Sequence, residues 1–313
     1  MRLRVVGPMG DDLIREIGQT IPEVEVTTGQ SGPADADVDA LVAWDARVEE
    51  IVAAVRSHPS PRWVHISAAG VHPALIEAVR RHGIILTNGS GAQAPALAEY
   101  VVLALLNFVK RMSALKSLQD RAEWSSDFTV SELRGKTIGL IGLGNVGLTT
   151  ARLLRPFGVR LLGVRRGLEK PAEVDEIYPR QQLPQFLEQL DALVITAPLT
   201  AETRGMVGAE ELARLKRGAY LVNIARGGIL DENALVTALR SGQLSGAALD
   251  VFAEEPLPPT SSLWTCPNVV LSPHCCDRTP QTRERGFTLF LDNLGRFVRG
   301  DLLRNVVDLD LGY

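Results

Sequence analysis

The chain has 313 residues, which is enough for two domains of ordinary size. Hydrophobic residues make up 45% and charged residues 22% of the sequence, a balance that excludes a disordered chain, a collagen-like fibre and a coiled coil. The formal net charge of −4 gives no electrostatic reason to expect binding to nucleic acid or to an anionic membrane.

The first hundred residues alternate short apolar runs with amphipathic segments. Strands are predicted at residues 3–6, 40–43, 63–66 and 84–87, and helices at residues 11–18, 47–56 and 73–81. This repeated alternation of strand and helix predicts a parallel sheet covered by helices on both faces.

A long apolar helix is predicted at residues 96–118, and because it is apolar on most faces it must be covered. It is expected to lie between domains, at a dimer contact, or at both. Beyond it, strands are predicted at residues 137–141, 159–164, 192–196, 219–224, 246–249 and 269–271, and helices at 146–157, 183–190, 231–240 and 279–299. This second series predicts a second sheet.

The three cysteines are Cys266, Cys275 and Cys276. An odd number, with two of them adjacent, favours neither a disulfide framework nor a zinc site, so we expect reduced thiols and no bound metal. The first ten residues lack the apolar run of a secretion signal, and residues 100–106 are far fewer than the about 20 that span a bilayer. These features predict a cytoplasmic protein.

A glycine pattern, G-x-G-x-x-G, occupies residues 142–147 between a predicted strand and a predicted helix. Gly142 permits a tight turn, Gly144 lets the backbone approach a pyrophosphate, and Gly147 lets the helix pack closely on the strand. Free N–H groups at the helix N-terminus can bind the phosphates. The pattern predicts a dinucleotide-binding domain; the alternative is a glycine-rich turn that binds nothing.

The following strand ends at Arg165 and Arg166, where an acidic residue would bind the ribose 2′-hydroxyl of NAD. A carboxylate would repel a 2′-phosphate, whereas a guanidinium can bind it with two hydrogen bonds. We therefore predict that NADP(H) is the preferred cofactor and NAD(H) the second choice. The alternative is that both arginines are solvated surface residues.

Three polar motifs follow later predicted strands, at the edge where open α/β sheets bind ligands. They are N-I-A-R-G at residues 223–227, D-V-F-A-E-E-P at 250–256 and S-P-H at 272–274. With the glycine pattern, their order resembles the D-isomer-specific 2-hydroxyacid dehydrogenase family over nearly the whole chain, most strongly over residues 135–280. The resemblance assigns the catalytic arginine, glutamate and histidine to Arg226, Glu255 and His274, with Glu254 as the competing carboxylate.

The chemistry of these three residue types agrees with that assignment. To reduce a 2-keto acid, a guanidinium such as Arg226 can hold the carboxylate and the carbonyl group. An imidazole such as His274 can donate a proton near neutral pH, and a carboxylate such as Glu255 favours its charged form. Taken singly, each residue is more often structural or exposed; taken together in this order, they predict an active site.

The resemblance implies an α/β protein of two domains and a homodimer. A Rossmann-type dinucleotide-binding domain (residues 97–285) is inserted into a flavodoxin-like substrate-binding domain (residues 1–96 plus 286–313). Residues 67–72 match the family's substrate loop, whose backbone N–H groups can form an anion site. The implied substrate contacts are Arg226 and the amides of Ala69, Gly70 and Val71; His72 stands where many members carry Asp.

The resemblance also implies contacts with the cofactor beyond the glycines and the two arginines. Asn145 and Val146 are expected to cover the pyrophosphate. Ala197 and Pro198 are expected on the adenosine side. Ala225 and Asp250 are expected to flank the nicotinamide, where His274 also lies.

The resulting prediction is an NADPH-dependent reductase that converts glyoxylate, hydroxypyruvate or a similar 2-keto acid to a D-2-hydroxy acid. An alternative in the same family is an NAD-linked dehydrogenase such as a phosphoglycerate dehydrogenase, which we would expect to be of a form without the regulatory tail. An alternative of another class is a dinucleotide-sensing protein that resembles the C-terminal-binding-protein corepressors. For Cys276, near the expected nicotinamide position, the alternatives are an apolar lining and a redox-sensitive thiol.

Overall fold

The computed structural model describes residues 1–28, 38–58, 61–167 and 169–313. The chain forms two compact units, one made of Met1–Gln93 with Pro280–Tyr313 and the other of Ala94–Thr279. The first unit is therefore discontinuous in sequence, and its second segment begins with the C-terminal helix.

Twelve strands and ten α-helices occur within the described residues. The strands are β1 (Arg2–Val6), β2 (Glu25–Thr27), β3 (Ala40–Ala43), β4 (Trp63–Ile66), β5 (Ile85–Asn88), β6 (Thr137–Ile141), β7 (Arg160–Val164), β8 (Glu176–Tyr178), β9 (Ala192–Ile195), β10 (Ala219–Asn223), β11 (Leu244–Leu249) and β12 (Val269–Leu271). The helices are α1 (Asp11–Thr20), α2 (Val48–Ser57), α3 (Pro73–Arg81), α4 (Ala94–Val109), α5 (Met112–Asp120), α6 (Asn145–Leu154), α7 (Leu183–Leu187), α8 (Ala209–Arg214), α9 (Glu232–Arg240) and α10 (Pro280–Arg299). None of these helices combines the length and the apolar character that a membrane crossing requires.

The first unit is built on a parallel sheet with the strand order β2-β1-β3-β4-β5. This is the flavodoxin-like order of doubly wound sheets. Apolar residues of α2 and α3 fill the core on one face, and those of α1 and α10 fill the core on the other. Because both faces are covered, every residue of β3 and β4 is buried.

The second unit is built on a parallel sheet with the strand order β12-β11-β10-β9-β6-β7-β8. The chain winds outward from β6 in both directions, so the strand order reverses between β6 and β9. In sheets of this Rossmann type, ligands bind beyond the carboxyl ends of the strands at the reversal. The predicted α/β fold class is confirmed.

Two separate cores cover the faces of this second sheet because successive strand residues point in opposite directions. On β9, Leu193 and Ile195 face one core, and Val194 faces the other. Helices α7, α8 and α9 contribute to the first core, whereas α4 and α6 contribute to the second. Packing on both faces holds the central strands in place, and with them the loops that follow their carboxyl ends.

The long helix predicted at residues 96–118 is two helices, α4 and α5. Arg111 lies between them in a left-handed conformation, with φ of 54°, which interrupts the helical hydrogen bonds. Its guanidinium lies 4.4 Å from the ring centroid of Phe128 and donates to the carbonyl of Thr129 at 3.2 Å. Strands β2 and β8 and helix α8 are too short to produce a periodic pattern, and the sequence did not predict them.

Candidate active site

Three neighbouring strands of the second sheet, β10, β11 and β12, end beside one another. Arg226 follows β10, Asp250 follows β11 and His274 follows β12. Parallel pairing therefore brings residues that are far apart in sequence to one sheet edge. The loop after Asp250 adds Glu255 to the same group.

His274 and Glu255 form the central contact of this group. The Nδ1 atom of His274 lies 2.8 Å from Oε2 of Glu255, while Oε1 of Glu255 accepts a hydrogen bond from the N–H of Phe252 at 2.9 Å. The competing carboxylate, Glu254, does not bind the imidazole among the described contacts. The side chains of His274 and Glu255 are 39% and 36% exposed, so Nε2 can meet a small molecule while Nδ1 is held.

The backbone of His274 is held in an unusual conformation. Its φ of 48° lies in the left-handed region, which is unfavourable for residues other than glycine. The His274 N–H donates to the carbonyl oxygen of Asp250 at 2.9 Å and to that of Ser272 at 3.0 Å. These bonds hold the backbone in this conformation, and the contact with Glu255 orients the imidazole.

Arg226 is exposed and lies on a loop braced by a buried asparagine. Asn223 accepts a hydrogen bond from the N–H of Ala225 at 3.1 Å and donates to the carbonyl of Arg226 at 3.2 Å. At Gly227, a Cβ atom would collide with the backbone of Phe252 and the following residue. Within the N-x-A-R-G motif, Asn223 thus stabilises the loop, and Gly227 allows close packing against the segment that carries Glu255. The guanidinium of Arg226 is exposed, and its role in binding substrate stays a prediction.

A hydrogen-bond network that the sequence did not predict lies behind His274. Tyr100 of α4 bonds to Ser272 (3.0 Å), and the Ser272 hydroxyl donates to Oδ1 of Asp250 at 2.7 Å. The Cys276 sulfur lies 3.3 Å from the same hydroxyl. Burial raises the pKa of the Cys276 thiol and of the Tyr100 phenol far above their ordinary ranges. For Cys276 this disfavours the thiolate that a redox-sensitive cysteine needs.

The glycine loop between β6 and α6 can accommodate a dinucleotide. A Cβ on Gly142, whose φ is 102°, would lie 2.6 Å from the backbone nitrogen of Ala197, and a Cβ on Gly147 would collide with the carbonyl of Gly142. A Cβ on Gly144 would meet nothing within 4 Å. Two glycines are therefore required by internal packing, whereas Gly144 faces open space at the start of α6, as close approach of a pyrophosphate requires.

The other predicted cofactor residues surround the same loop. Asn145 and Val146 begin α6, and Ala197 is buried against Gly142, followed by an exposed Pro198. Ala225 is buried beside Arg226. Asp250 is buried, and its carboxylate accepts hydrogen bonds from Ser272 and from the backbone N–H groups of both following cysteines, Cys275 and Cys276. Their predicted contacts with a cofactor stay predictions.

The two arginines predicted to bind a 2′-phosphate follow β7 directly. Arg165 donates to the carbonyl of Glu169 at 3.4 Å. Arg166 forms an ion pair with Glu202, with Nη2 and Oε2 3.0 Å apart. Glu202 was not among the residues that the sequence predicted, because nothing in its local pattern links it to β7.

The predicted substrate loop, residues 67–72, belongs to the first unit. Among the described residues, none accepts a hydrogen bond from the N–H groups of Ala69, Gly70 or Val71. The loop is held by Asn88, which donates to the carbonyl of Ala69 at 2.7 Å. His72 accepts a hydrogen bond from the N–H of Ala74 at 3.2 Å and so caps α3, a role that an aspartate also performs.

Comparison with known proteins identifies related sequences. The family model described as "D-isomer specific 2-hydroxyacid dehydrogenase, NAD binding domain" matches residues 102–276. A glyoxylate reductase of Thermofilum pendens is 38% identical over 239 residues, covering 74% of this chain and 70% of that protein. A D-3-phosphoglycerate dehydrogenase of Methanocaldococcus jannaschii is 31% identical over 317 residues, covering 99% of this chain and 60% of that protein.

A solved structure is similar over nearly the full length of both chains. It is an NADPH-dependent glyoxylate/hydroxypyruvate reductase of Sinorhizobium meliloti in complex with NADP and sulfate. Its TM-score to this chain is 0.84 and its sequence identity is 28%, with 100% of this chain and 99% of that chain covered.

Proposed function

The chain belongs to the D-isomer specific 2-hydroxyacid dehydrogenase family, and we propose that it uses NADPH to reduce glyoxylate, hydroxypyruvate or a similar 2-keto acid to the D-2-hydroxy acid. As a member of that family it is an NAD(P)-dependent oxidoreductase. The observation that carries the proposal is the 2.8 Å contact between His274 and Glu255, at the sheet edge that also carries Arg226. The reductases among its relatives support the substrate class.

The reduced nicotinamide supplies a hydride when it is bound. Arg226 holds the carboxylate and carbonyl oxygens of the keto acid, because a planar guanidinium matches two oxygens at once. His274 donates the proton on Nε2 to the carbonyl oxygen as that oxygen gains charge. Glu255 binds Nδ1, orients the ring and stabilises the imidazolium. In the oxidative direction the neutral imidazole accepts the proton.

The preference for NADPH rests on Arg165 and Arg166. Because Arg166 pairs with Glu202, a 2′-phosphate must displace that carboxylate or share the guanidinium with it. An exposed ion pair contributes at most about 1 kcal/mol, whereas a phosphate accepts charge-assisted hydrogen bonds from both guanidinium groups. The exchange of one anion for the other is therefore favourable.

The test is the oxidation of NADPH and NADH, measured side by side with glyoxylate, hydroxypyruvate, pyruvate and phenylpyruvate. NADPH with glyoxylate or hydroxypyruvate is expected to give the highest kcat/KM. Arg166→Ala should raise the KM for NADPH about tenfold, the loss of one charge-assisted hydrogen bond, and change that for NADH little. Arg214→Ala, which removes another ion-paired arginine of the second unit, is the matched control.

The outcomes separate the parts of the proposal. A higher kcat/KM with NADH would contradict the cofactor preference but leave the reductase intact. Turnover with none of the four acids would contradict the substrate class.

A second candidate is the NAD-linked oxidation of D-3-phosphoglycerate. It is favoured by the relative of that name, which aligns with 99% of this chain, although the chain spans only 60% of that relative's length. Oxidation of D-3-phosphoglycerate with NAD⁺ at a higher kcat/KM than any keto-acid reduction would establish it. The corepressor-like alternative has no comparable support.

A homodimer formed through the second unit is also part of the proposal. Large apolar side chains are exposed there, namely Leu103, Met112 and Trp124, the last of which is 97% exposed. Light scattering after size-exclusion chromatography should give twice the chain mass of 33.9 kDa, and Leu103→Ser should shift the mass toward one chain. A native protein that elutes with the mass of one chain at micromolar concentration would contradict the dimer.

A further inference from the structure

Three potential metal ligands converge where β11 and β12 end. Asp250, Cys275 and Cys276 each offer one ligand atom, and these atoms all lie within 4.8 Å of one another. We propose that they form a binding site for a single thiophilic cation of the Zn²⁺ or Cd²⁺ class, and that its occupation suppresses turnover. Metal binding at this site is independent of the proposed function, whereas the suppression of turnover rests on the proposed function.

The carboxylate of Asp250 is suited to a cation because it is buried without a cationic partner. Its residue is 1% exposed, and among the described residues no lysine, arginine or histidine forms an ion pair with it. Buried charges are normally paired or bound to metals. Oδ1 accepts hydrogen bonds from Ser272 and from the N–H of Cys275, and Oδ2 accepts that of the Cys276 N–H. The Cys276 thiol also forms a hydrogen bond with this carboxylate. A metal that replaces the thiol proton would therefore find a carboxylate oxygen already facing the sulfur.

The two sulfur atoms determine which cations fit. Both cysteines are free thiols of intermediate exposure, so a dissolved ion can reach them. A cysteine binds a metal as the thiolate, and the metal ion itself displaces the thiol proton to solvent even where burial disfavours the free thiolate. Thiolates select soft cations and exclude Mg²⁺ and Ca²⁺, which bind oxygen ligands. In a tetrahedral zinc site with Zn–S bonds of about 2.3 Å, two sulfurs lie about 3.8 Å apart. Because the ligand atoms lie within 4.8 Å of one another, each pair needs to approach by about 1 Å at most to bind one cation. The fourth coordination position of the metal stays open for water.

Metal binding at this place would disturb His274. Asp250 accepts the N–H of His274 on its carbonyl oxygen and the N–H groups of both cysteines on its carboxylate. A cation bound between the carboxylate and the thiolates would pull both cysteine side chains toward Asp250 and so distort the backbone segment that the latter bonds hold. Since those bonds hold the turn that directly follows His274, the imidazole would lose its fixed direction.

The test uses the full-length protein and Cd²⁺ as the probe. Equilibrium dialysis and the ultraviolet charge-transfer band of cadmium thiolates are expected to show one bound Cd²⁺ per chain. Cys275→Ser and Cys276→Ser should each weaken binding about 100-fold, because one thiolate ligand is lost. Cys266→Ser, which changes the third free cysteine, is the matched control and should bind Cd²⁺ as the native chain does.

Turnover is measured in the same samples as the ratio of the rates with and without the cation. The native chain and Cys266→Ser should lose at least 90% of their turnover at saturating Cd²⁺ and recover it with a chelator. Retention of the bound Cd²⁺ in Cys275→Ser and Cys276→Ser, or its loss in Cys266→Ser, would overturn the site. Full turnover with Cd²⁺ bound would overturn the suppression. Because dialysis requires no catalysis, an inactive enzyme leaves the site testable.

Discussion

At the scale of single residues, the proposed proton transfer depends on His274. His274→Ala should lower kcat for keto-acid reduction about 10²- to 10⁴-fold, the usual contribution of general acid catalysis. The affinity for NADPH should change little, because the glycine loop is untouched. Steady-state kinetics and NADPH fluorescence titration measure the two effects. Near-native turnover of this variant would contradict the assignment of His274 as the acid.

Glu255 and Glu254 are adjacent acids with different contacts, and they form a natural pair for comparison. Glu255→Gln keeps an acceptor for Nδ1 of His274 but removes the charge, so kcat should fall about 10- to 100-fold, less than for loss of the imidazole. Glu254→Gln should retain native kcat. Equal losses of kcat in the two variants would indicate that turnover depends on the loop as a whole rather than on the contact between Glu255 and His274.

At the scale of elements, the loop between β6 and α6 contains one glycine that folding requires, Gly142, and one that is predicted to matter for cofactor binding, Gly144. Gly144 has φ of −84° and open space around it, so Gly144→Ala should change the free energy of unfolding by less than about 1 kcal/mol. The added methyl group would lie where the pyrophosphate approaches the backbone, so the Kd for NADPH should rise at least about tenfold. Thermal unfolding and fluorescence titration test the two statements.

Gly142 is the contrasting position in the same loop. Its positive φ and the backbone of Ala197 leave no room for a Cβ atom. Gly142→Ala should therefore lower the free energy of unfolding by about 2 kcal/mol or more, whether or not a cofactor is present. If Gly144→Ala proved as unstable as Gly142→Ala, the division of roles between these glycines would be wrong.

At the scale of the whole molecule, the first unit contains a buried histidine that makes stability depend on pH. His65 is fully buried beside Thr87 and Phe290, and burial lowers its pKa to about 3 from an ordinary value of 6.5. Below pH 6.5 the unfolded chain binds a proton that the folded chain excludes. The free energy of unfolding should therefore be unaffected above pH 6.5 and fall as the pH decreases from 6.5 toward 3.

Urea unfolding at pH 7 and pH 5 measures this effect. From pH 7 to pH 5, the free energy of unfolding should fall by about 2 kcal/mol less in His65→Gln than in the native chain. The glutamine keeps an acceptor for the Thr87 hydroxyl but does not titrate. His82→Gln, which changes an exposed histidine of the same unit, should lose as much as the native chain. An unchanged pH dependence in His65→Gln would exclude His65 as the source.

The sequence by itself determined the fold class, the family and most element positions. Five elements begin and end at the predicted residues: strands β3, β4, β6 and β12 and helix α3. Their positions could be predicted because the spacing of apolar residues and the turn residues that flank them are local properties of the sequence. The glycine pattern and the motifs with Arg226, Glu255 and His274 are equally local. Where one residue overrides the pattern, as Arg111 does between α4 and α5, the prediction of a single helix was wrong.

Only the tertiary structure decided which distant residues meet. Pairing of β11 with β12 brings Asp250 to Cys275 and Cys276, and the packing of α4 brings Tyr100 to Ser272. The ion pair between Arg166 and Glu202 likewise joins loops after different strands. The sequence alone suggested no metal site, because a pair of adjacent cysteines lacks further ligands until the sheet supplies one. Contacts of this kind depend on strand order and register, which arise from burial of the whole sheet rather than from any segment.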